Sequence, residues 1–184
     1  MILDGNDIKV KIVADDYTAF KELYLLMYAS LKRFAAIYAH DEHLAEDVLA
    51  DVFLKLWDRR KQLTEVENLR VYLYTAVKNT AINYRMKQSR ITEEADDYSF
   101  YNDTNPDPEN ALISSEAQKA IQKAINDLPP RCKLIFRLAK EEGLRYKEIA
   151  SILGISIKTI DNQLAIAIQK IGEAILSRNR QKVG

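Results

Sequence analysis

The last third of the chain contains a group of polar side chains that could bind the edges of DNA base pairs. They lie within GLRYKEIASILGISIKTIDNQL, residues 143–164. Asn and Gln amides can form two hydrogen bonds with adenine, a Thr methyl group can contact the thymine methyl, and a Lys ammonium can reach guanine or a phosphate. The candidate residues are Ser156, Lys158, Thr159, Asn162 and Gln163. Their spacing predicts one polar side of a helix that starts near Ile157.

The elements around this group predict a helix-turn-helix. Gly154 can adopt the positive φ that reverses the chain after a first helix over residues 146–153. The Ser156 hydroxyl can then cap a second helix over residues 157–174. We expect three apolar residues to bury the inner side of that second helix: Ile160, Leu164 and Ile168. Such a unit presents the N-terminal side chains of its second helix to a DNA major groove.

A second group of candidate residues lies on a predicted helix in the first half of the chain. Apolar residues recur at steps of three and four from Leu69 to Tyr84, which predicts an amphipathic helix. Cations, amides and an aromatic ring are predicted on its other face. Rings stack on unpaired bases and cations neutralise phosphates, so this face is typical of single-strand binding. The candidates are Tyr74, Lys78, Asn79, Asn83, Arg85 and Lys87.

A third group lies on the helix predicted just before it, with Asp41 as its N-cap. Asp47 and Asp51 form an acidic edge beside two large aromatic residues, Phe53 and Trp57. Aromatic anchors with a charged rim are typical of partner surfaces. Phe53 lies off the main apolar stripe and is therefore the favoured exposed anchor, while Trp57 suits the core or the interface equally well.

The overall pattern predicts an all-α protein of two small domains joined by an acidic linker. The chain has 184 residues, only 5 Gly and 4 Pro, and no strictly alternating segment. Its zero net charge divides into +1 over residues 1–90, −8 over residues 91–118 and +7 over residues 119–184. We expect a first domain over residues 10–90, a flexible linker over 91–115, and a second domain over 116–178. The cationic last third suits a polyanionic partner.

Several classes of protein are disfavoured by the residues that the sequence lacks. One Cys and two His cannot build a Cys-cluster or a complete His-rich metal centre. A reading of His40 and His43 as ligands beside Asp41, Glu42 and Asp47 is weaker than a solvated helix start. No phosphate-binding Gly loop or nucleophile motif occurs. We therefore expect no enzyme activity, no metal and no cofactor. We also expect a cytoplasmic protein without membrane insertion, because no apolar run approaches ~20 residues.

Three segments in order resemble the extracytoplasmic-function sigma factors, the promoter-recognition subunits of bacterial RNA polymerase. LAEDVLADVFLKLWDRR resembles the family's helix that docks on core polymerase. NLRVYLYTAVKNTAINYRMK resembles its promoter-melting helix. LPPRCKLIF followed by GLRYKEIASILGISIKTIDNQL resembles the domain that reads the minus-thirty-five element. Arg145 stands where the family often has a capping Ser or Thr, so no side-chain cap is expected there.

The resemblance implies the partners and roles of these three groups of residues. Core RNA polymerase would bind the acidic, aromatic edge. The melted minus-ten strand would bind the Leu69–Tyr84 helix and the preceding loop, residues 61–67, with one base extruded from the stack. Duplex promoter DNA would bind the helix-turn-helix, and a membrane-bound anti-sigma factor would hold the protein silent.

Two alternatives remain open at the level of sequence. A helix-turn-helix regulator could bind duplex DNA without polymerase, but it would need neither the strand-binding face nor the docking edge. A purely structural helical adaptor would leave the Asn162 and Gln163 face unexplained.

Overall fold

The structure, a computed structural model, describes residues 5–89 and 116–183. Every regular element within these ranges is a helix, so the predicted all-α fold class is confirmed. The chain divides into two compact units, one towards each terminus. The predicted acidic linker, residues 91–115, falls outside the described residues.

The N-terminal unit is built on three long helices that pack against one another. The elements are α1 (Gly5–Val13), α2 (Tyr17–Ala39), α3 (Glu42–Asp58) and α4 (Leu69–Ser89), with a short 3₁₀ segment at Arg60–Glu65 between α3 and α4. Helices α2, α3 and α4 all contact each other, and α1 packs on α2 and on the 3₁₀ segment. The core therefore draws apolar residues from every element. Its most deeply buried members include Ile12, Leu31, Val48, Leu49, Leu56, Leu63, Leu73 and Val77.

Side-chain caps fix where these helices start. The Asp16 carboxylate accepts hydrogen bonds from Thr18 N at 2.9 Å and from Ala19 N at 3.1 Å, which starts α2. The predicted Asp41 cap is confirmed, since its carboxylate accepts from Leu44 N at 2.8 Å. Each cap satisfies an amide that has no partner within the helix.

Helix α1 was not anticipated from the sequence. Its only strong apolar signal is Ile8 and Ile12, four residues apart, which are 2% and 0% exposed. Two positions in a nine-residue helix are too few to establish a period. The helix is held by packing rather than by its own pattern.

The C-terminal unit consists of α5 (Glu116–Asn126), α6 (Pro130–Lys140), α7 (Tyr146–Leu153) and α8 (Ile157–Val183). Pro130 is the first residue of α6, as its fixed φ suggests. Helix α8 contacts α5, α6 and α7 and is the central element. Its buried side is formed by Ile160, Leu164 and Ala167. The prediction for Ile168 is wrong, because this side chain is 58% exposed and Ala167 takes the inner position.

Candidate nucleic-acid and partner interfaces

The turn between α7 and α8 has the geometry of a helix-turn-helix. Gly154 has φ of +68° and donates its N–H to Ala150 O at 2.9 Å, so it ends α7 in the left-handed conformation that glycine adopts without strain. Ser156 Oγ accepts the N–H of Thr159 at 3.1 Å, which confirms the predicted cap of α8. Ile149, Ile152 and Ile160 are fully buried where the two helices meet. The orientation of α8 is therefore set by both the turn and the core beneath it.

The candidate base-reading residues of α8 are not equally accessible. Lys158 and Asn162 are exposed and lie four residues apart, so they share one face of the helix. Thr159 and Gln163 are half-buried on its flank. The hydroxyls of Ser156 and Thr159 are 2.8 Å apart and hydrogen bond with each other. Lys158 and Asn162 are thus the side chains best placed to reach a base edge.

Two further contacts stabilise this unit from positions that the base-reading argument did not use. The Cys132 thiol on α6 donates to Gln163 O at 3.1 Å, and burial raises the pKa of this thiol. At the start of α7, Glu148 Oε2 accepts Arg145 N at 2.7 Å. This bond is one half of a capping box, so the missing Ser or Thr at position 145 is partly replaced from within the helix. Exposed Arg145 and Lys147 also place two cations at the start of α7.

On α4 the structure overturns one candidate. Tyr74 is only 1% exposed, and its ring meets Phe34 edge-on with centroids 4.9 Å apart. The prediction that Tyr74 lies on the exposed face is wrong, because α4 packs against both α2 and α3 and buries a wider arc than a helix with one neighbour. A ring in this position cannot stack on an unpaired base.

The other α4 candidates separate into two neighbouring stripes. Asn79, Asn83 and Lys87 are exposed and spaced by four residues, so they form one continuous face. Lys87 Nζ also lies 5.9 Å from the centre of the Tyr84 ring, which is half-buried. Tyr84, assigned to the apolar stripe from the sequence, is therefore the aromatic residue beside this face.

The second stripe consists of Lys78 and Arg85, seven residues apart and both half-buried. Burial lowers the pKa of Lys78 below its usual value. Arg85 Nη1 lies 3.3 Å from Nε2 of His40, the residue that ends α2 with φ of +59°. This stripe is therefore tied to the body of the unit, whereas the first stripe extends into solvent.

On α3 the structure overturns the preference for Phe53 over Trp57 as the exposed anchor. Phe53 is 3% exposed and packs against Tyr24 and Phe20, so the prediction that it is the exposed anchor is wrong. Trp57 is half-buried, contacts Phe20, and has the Arg60 guanidinium 4.5 Å from its ring centre. The sequence argument failed because α2 supplies aromatic neighbours on the side of α3 that the apolar stripe alone leaves open.

The exposed anchor on α3 is a residue that the sequence analysis missed. Leu54 is 66% exposed and lies on the same face as Asp47 and Asp58. Asp51, also beside it, is half-buried and pairs with Lys55 at 2.7 Å. The sequence signal for this anchor is spacing: Leu54 lies seven residues after Asp47 and four before Asp58, which places all three on one face of a helix. This face suits an apolar partner surface with a basic rim.

The described part of the chain holds neither a cluster of metal-binding side chains nor a membrane-spanning helix. Residues 5–89 and 116–183 contain no group of three or more His, Cys, Asp or Glu placed to hold a metal ion. Within the same ranges, none of the helices combines the length and the apolar character that a membrane span requires.

Comparison with known proteins assigns both units. The sigma-70 region 2 family model matches residues 23–91, and the sigma-70 region 4 model matches residues 118–171. The RNA polymerase sigma-H factor of Pseudomonas aeruginosa is 23% identical over 174 residues and covers 90% of both chains. The ECF RNA polymerase sigma-E factor of Haemophilus influenzae is 28% identical over 139 residues, or 70% of this chain and 73% of the relative.

Solved structures agree with this assignment. The sigma factor RpoE of Bartonella quintana, solved with the anti-sigma factor NepR, is 25% identical with a TM-score of 0.57, over 85% of this chain and 96% of that one. CnrH, solved with the cytosolic domain of CnrY, has the same fold at 16% identity with a TM-score of 0.55, over 94% and 97% of the two chains.

A region 2 unit followed by a region 4 unit defines a sigma-70-type factor of transcription initiation. The chain belongs to the extracytoplasmic-function sigma factors, the group named for its relatives in Haemophilus influenzae and Escherichia coli.

Proposed function

We propose that this sigma factor divides its work between three surfaces. The outer face of α3 binds core RNA polymerase, the outer face of α4 holds the melted minus-ten strand, and the start of α8 reads the minus-thirty-five duplex. The corresponding domains are residues 10–90 and 116–178, joined by the acidic segment 91–115. The observation that carries this proposal is the succession of a region 2 and a region 4 match in one chain.

The docking surface on α3 is centred on Leu54. Its 66% exposure leaves most of an apolar side chain in water, and a partner that covers it gains the free energy of burial. Asp47 and Asp51 would orient a basic partner around this anchor. Half-buried Trp57 extends the apolar surface at one edge, and Phe53 supports it from the core.

The strand-binding surface on α4 combines amides with cations. Asn79 and Asn83 can hydrogen bond with the base edges that melting exposes, while Lys87, Lys78 and Arg85 neutralise phosphates. The loop before α4 continues this surface, because its exposed Gln62, Thr64 and Asn68 side chains are also polar. Asn68 Oδ1 accepts Val71 N at 3.1 Å, which joins the loop to the start of α4.

The duplex-reading surface on α8 centres on Lys158 and Asn162, with Thr159 and Gln163 on its flank. Asn162 suits a bidentate bond with adenine in the major groove. Ser156 contributes by capping α8. The N-terminal end of α8 in turn favours a nearby phosphate, because the helix dipole is positive there. Arg145 and Lys147 on α7 are placed to bind the phosphate backbone.

The protein directs the catalysis of the polymerase and performs none of its own, in the cytoplasm where polymerase acts. We further propose that a membrane-bound anti-sigma factor covers the region 2 and region 4 surfaces. Of its structural relatives, RpoE was solved with the anti-sigma factor NepR, and CnrH was solved with the cytosolic domain of CnrY.

The test is co-purification with bacterial core RNA polymerase. Wild type should form a stoichiometric complex that Leu54→Arg loses, because a cation would replace the apolar anchor. Leu26→Arg is the matched control, since Leu26 is 64% exposed but lies on α2. Unchanged binding by Leu54→Arg would remove the docking assignment. A wild-type chain that shifts duplex DNA but never binds core would instead be a regulator that acts without polymerase.

A further inference from the structure

The loop between α3 and α4 is tied to the N-terminal helix at both of its ends. At the start of the loop, the Asp15 carboxylate pairs with the side chains of Arg60 and Lys61, the latter at 2.5 Å. At its end, Lys9 Nζ donates to Val66 O at 2.8 Å. These contacts join residues 45 to 57 positions apart in sequence. They are therefore tertiary contacts rather than local turns.

The backbone conformation of Asp15 and the contacts of Lys61 hold this carboxylate against the loop. Asp15 has φ of +67°, in the left-handed region that a residue with a side chain adopts at a cost in free energy. Lys61 Nζ donates to Val13 O at 2.8 Å as well as to the carboxylate, so it contacts both the end of α1 and the turn. Hydrogen bonding to Lys61 and Arg60 lowers the pKa of Asp15 below its ordinary value.

Apolar contacts fix the same segment from below. Ile8 and Ile12 of α1 are buried, and Leu63 in the middle of the loop is 2% exposed. Arg60 is held in addition by Trp57, because Nη1 donates to Trp57 O at 2.7 Å and the guanidinium lies over the indole. The loop backbone is thus anchored at its start, centre and end, while Gln62 and Thr64 stay exposed between the anchors.

We propose that α1 and the Asp15 turn are a positioning element that holds the loop in the single conformation in which it captures the melted promoter strand. The inference rests on the proposed strand-binding role of this loop. It assigns a task to residues 5–15, which precede the region 2 match at residue 23. Asp15 and Lys9 are positioning residues, since they act on the strand only through the loop.

The experiment compares Asp15→Asn and Lys9→Met with matched control variants on α1, Asp7→Asn and Lys11→Met, whose wild-type side chains are exposed. Holoenzyme assembled from the full chain and bacterial core polymerase captures a fork-junction DNA whose single-stranded segment is randomised, and the captured pool is sequenced. We expect both loop variants to capture at least fivefold less DNA and to show weaker base preferences. Core binding should stay within twofold of wild type, and the controls should match wild type.

A second measurement reports the loop directly. Trypsin should cut the isolated Asp15→Asn chain after Arg60 or Lys61 faster than wild type, because the anchor at the start of the loop is weakened.

Faster cutting with unchanged capture and base preference would overturn the proposal while leaving the proposed function intact. Increased capture would also overturn it, since Asp15 would then be a competitor of phosphate for the two cations. Equal loss of core binding and of DNA capture would also overturn it, because the contacts would then stabilise the whole unit and not position the loop. Failure of wild type to capture any strand would overturn the proposed function itself.

Discussion

The two helices proposed to contact DNA, α4 and α8, are prepared for binding in different ways. On α8 the exposed residues Lys158 and Asn162 extend from a helix whose start is fixed by a turn and a cap. On α4 three of the six candidate residues are buried or half-buried, and one of these, Arg85, contacts His40 at the end of α2. A duplex offers a regular groove, so a rigid helix with a few free side chains can read it. A melted strand has no fixed shape, so the protein must supply the shape from a larger structured surface.

This contrast predicts that substitutions on α4 and its surroundings affect folding and binding together, whereas substitutions on α8 affect binding alone. Four changes test it, from the largest expected effect to the smallest.

The largest effect is expected for Tyr74, the candidate that the structure places in the core. Tyr74→Ala should lower the free energy of unfolding by about 3–5 kcal/mol, the usual cost of removing a large buried ring. Urea unfolding followed by Trp57 fluorescence measures it, because Trp57 is the single tryptophan and lies in the same unit. Tyr74→Phe keeps the ring and should open promoters like wild type. A stable Tyr74→Phe chain that cannot open promoters would show that the hydroxyl contacts DNA.

The next effect concerns the base-reading face of α8. Asn162→Ala should relax the preference at one base pair of the upstream element by about 1–3 kcal/mol, the worth of one bidentate contact. Binding to a set of single-base promoter variants measures this change, and the urea unfolding curve followed by far-UV circular dichroism, which reports the helices of both units, should not move. Glu173→Ala, further along the same helix, is the control. An unchanged base preference for Asn162→Ala would remove its assignment.

A smaller change is expected for the cations of α4. Lys78→Met should reduce the slope of log affinity for single-stranded promoter DNA against log salt by about 0.7, the contribution of one phosphate contact. Methionine keeps most of the apolar stem of this half-buried side chain. Core binding should be retained, as it should for Asn79→Ala, which impairs opening through lost base contacts. A salt dependence identical to that of wild type would make Lys78 a packing residue.

The smallest effect is the pH dependence that His40 should impose on the N-terminal unit. Burial, and secondarily the charge of Arg85, lowers the pKa of His40 below the ordinary value of 6.5. His40 therefore binds a proton more readily in the unfolded chain than in the folded one. The stability that neutral His40 contributes is complete above pH 6.5, and it is lost as the pH falls towards the lower pKa of the folded state. His40→Gln should remove the corresponding part of the pH dependence, measured by Trp57 fluorescence in urea. A pH dependence of His40→Gln identical to that of wild type would contradict the assignment.

The sequence was sufficient for the described helices other than α1, for the Asp41 and Ser156 caps and for the helix-turn-helix, because these depend on neighbouring residues. The errors at Phe53, Tyr74 and Ile168 share another cause. Each residue lies at the edge of an apolar stripe, where exposure depends on how many helices pack against that side. Phe53 and Tyr74 gain neighbours from α2 and become buried. Ile168 lies outside the arc that α8 buries and remains 58% exposed.

The same reasoning explains the residues that were missed. In the sequence, Leu54 is one apolar residue among several on α3. Only the positions of α2 and α4 show that its side chain faces solvent. The pairing of Asp15 with Arg60 and Lys61 joins segments about 45 residues apart. No local pattern of charge or hydropathy indicates such a contact.

The buried thiol of Cys132 has a practical consequence for following initiation in real time. It is the only cysteine of the chain, it is 0% exposed, and its raised pKa keeps it in the unreactive protonated form at neutral pH. A second cysteine introduced at an exposed position, such as Glu173, can therefore be labelled with a maleimide dye in the native protein without first removing the natural one. Dyes on this factor and on promoter DNA would then record the arrival and departure of region 4 on single molecules.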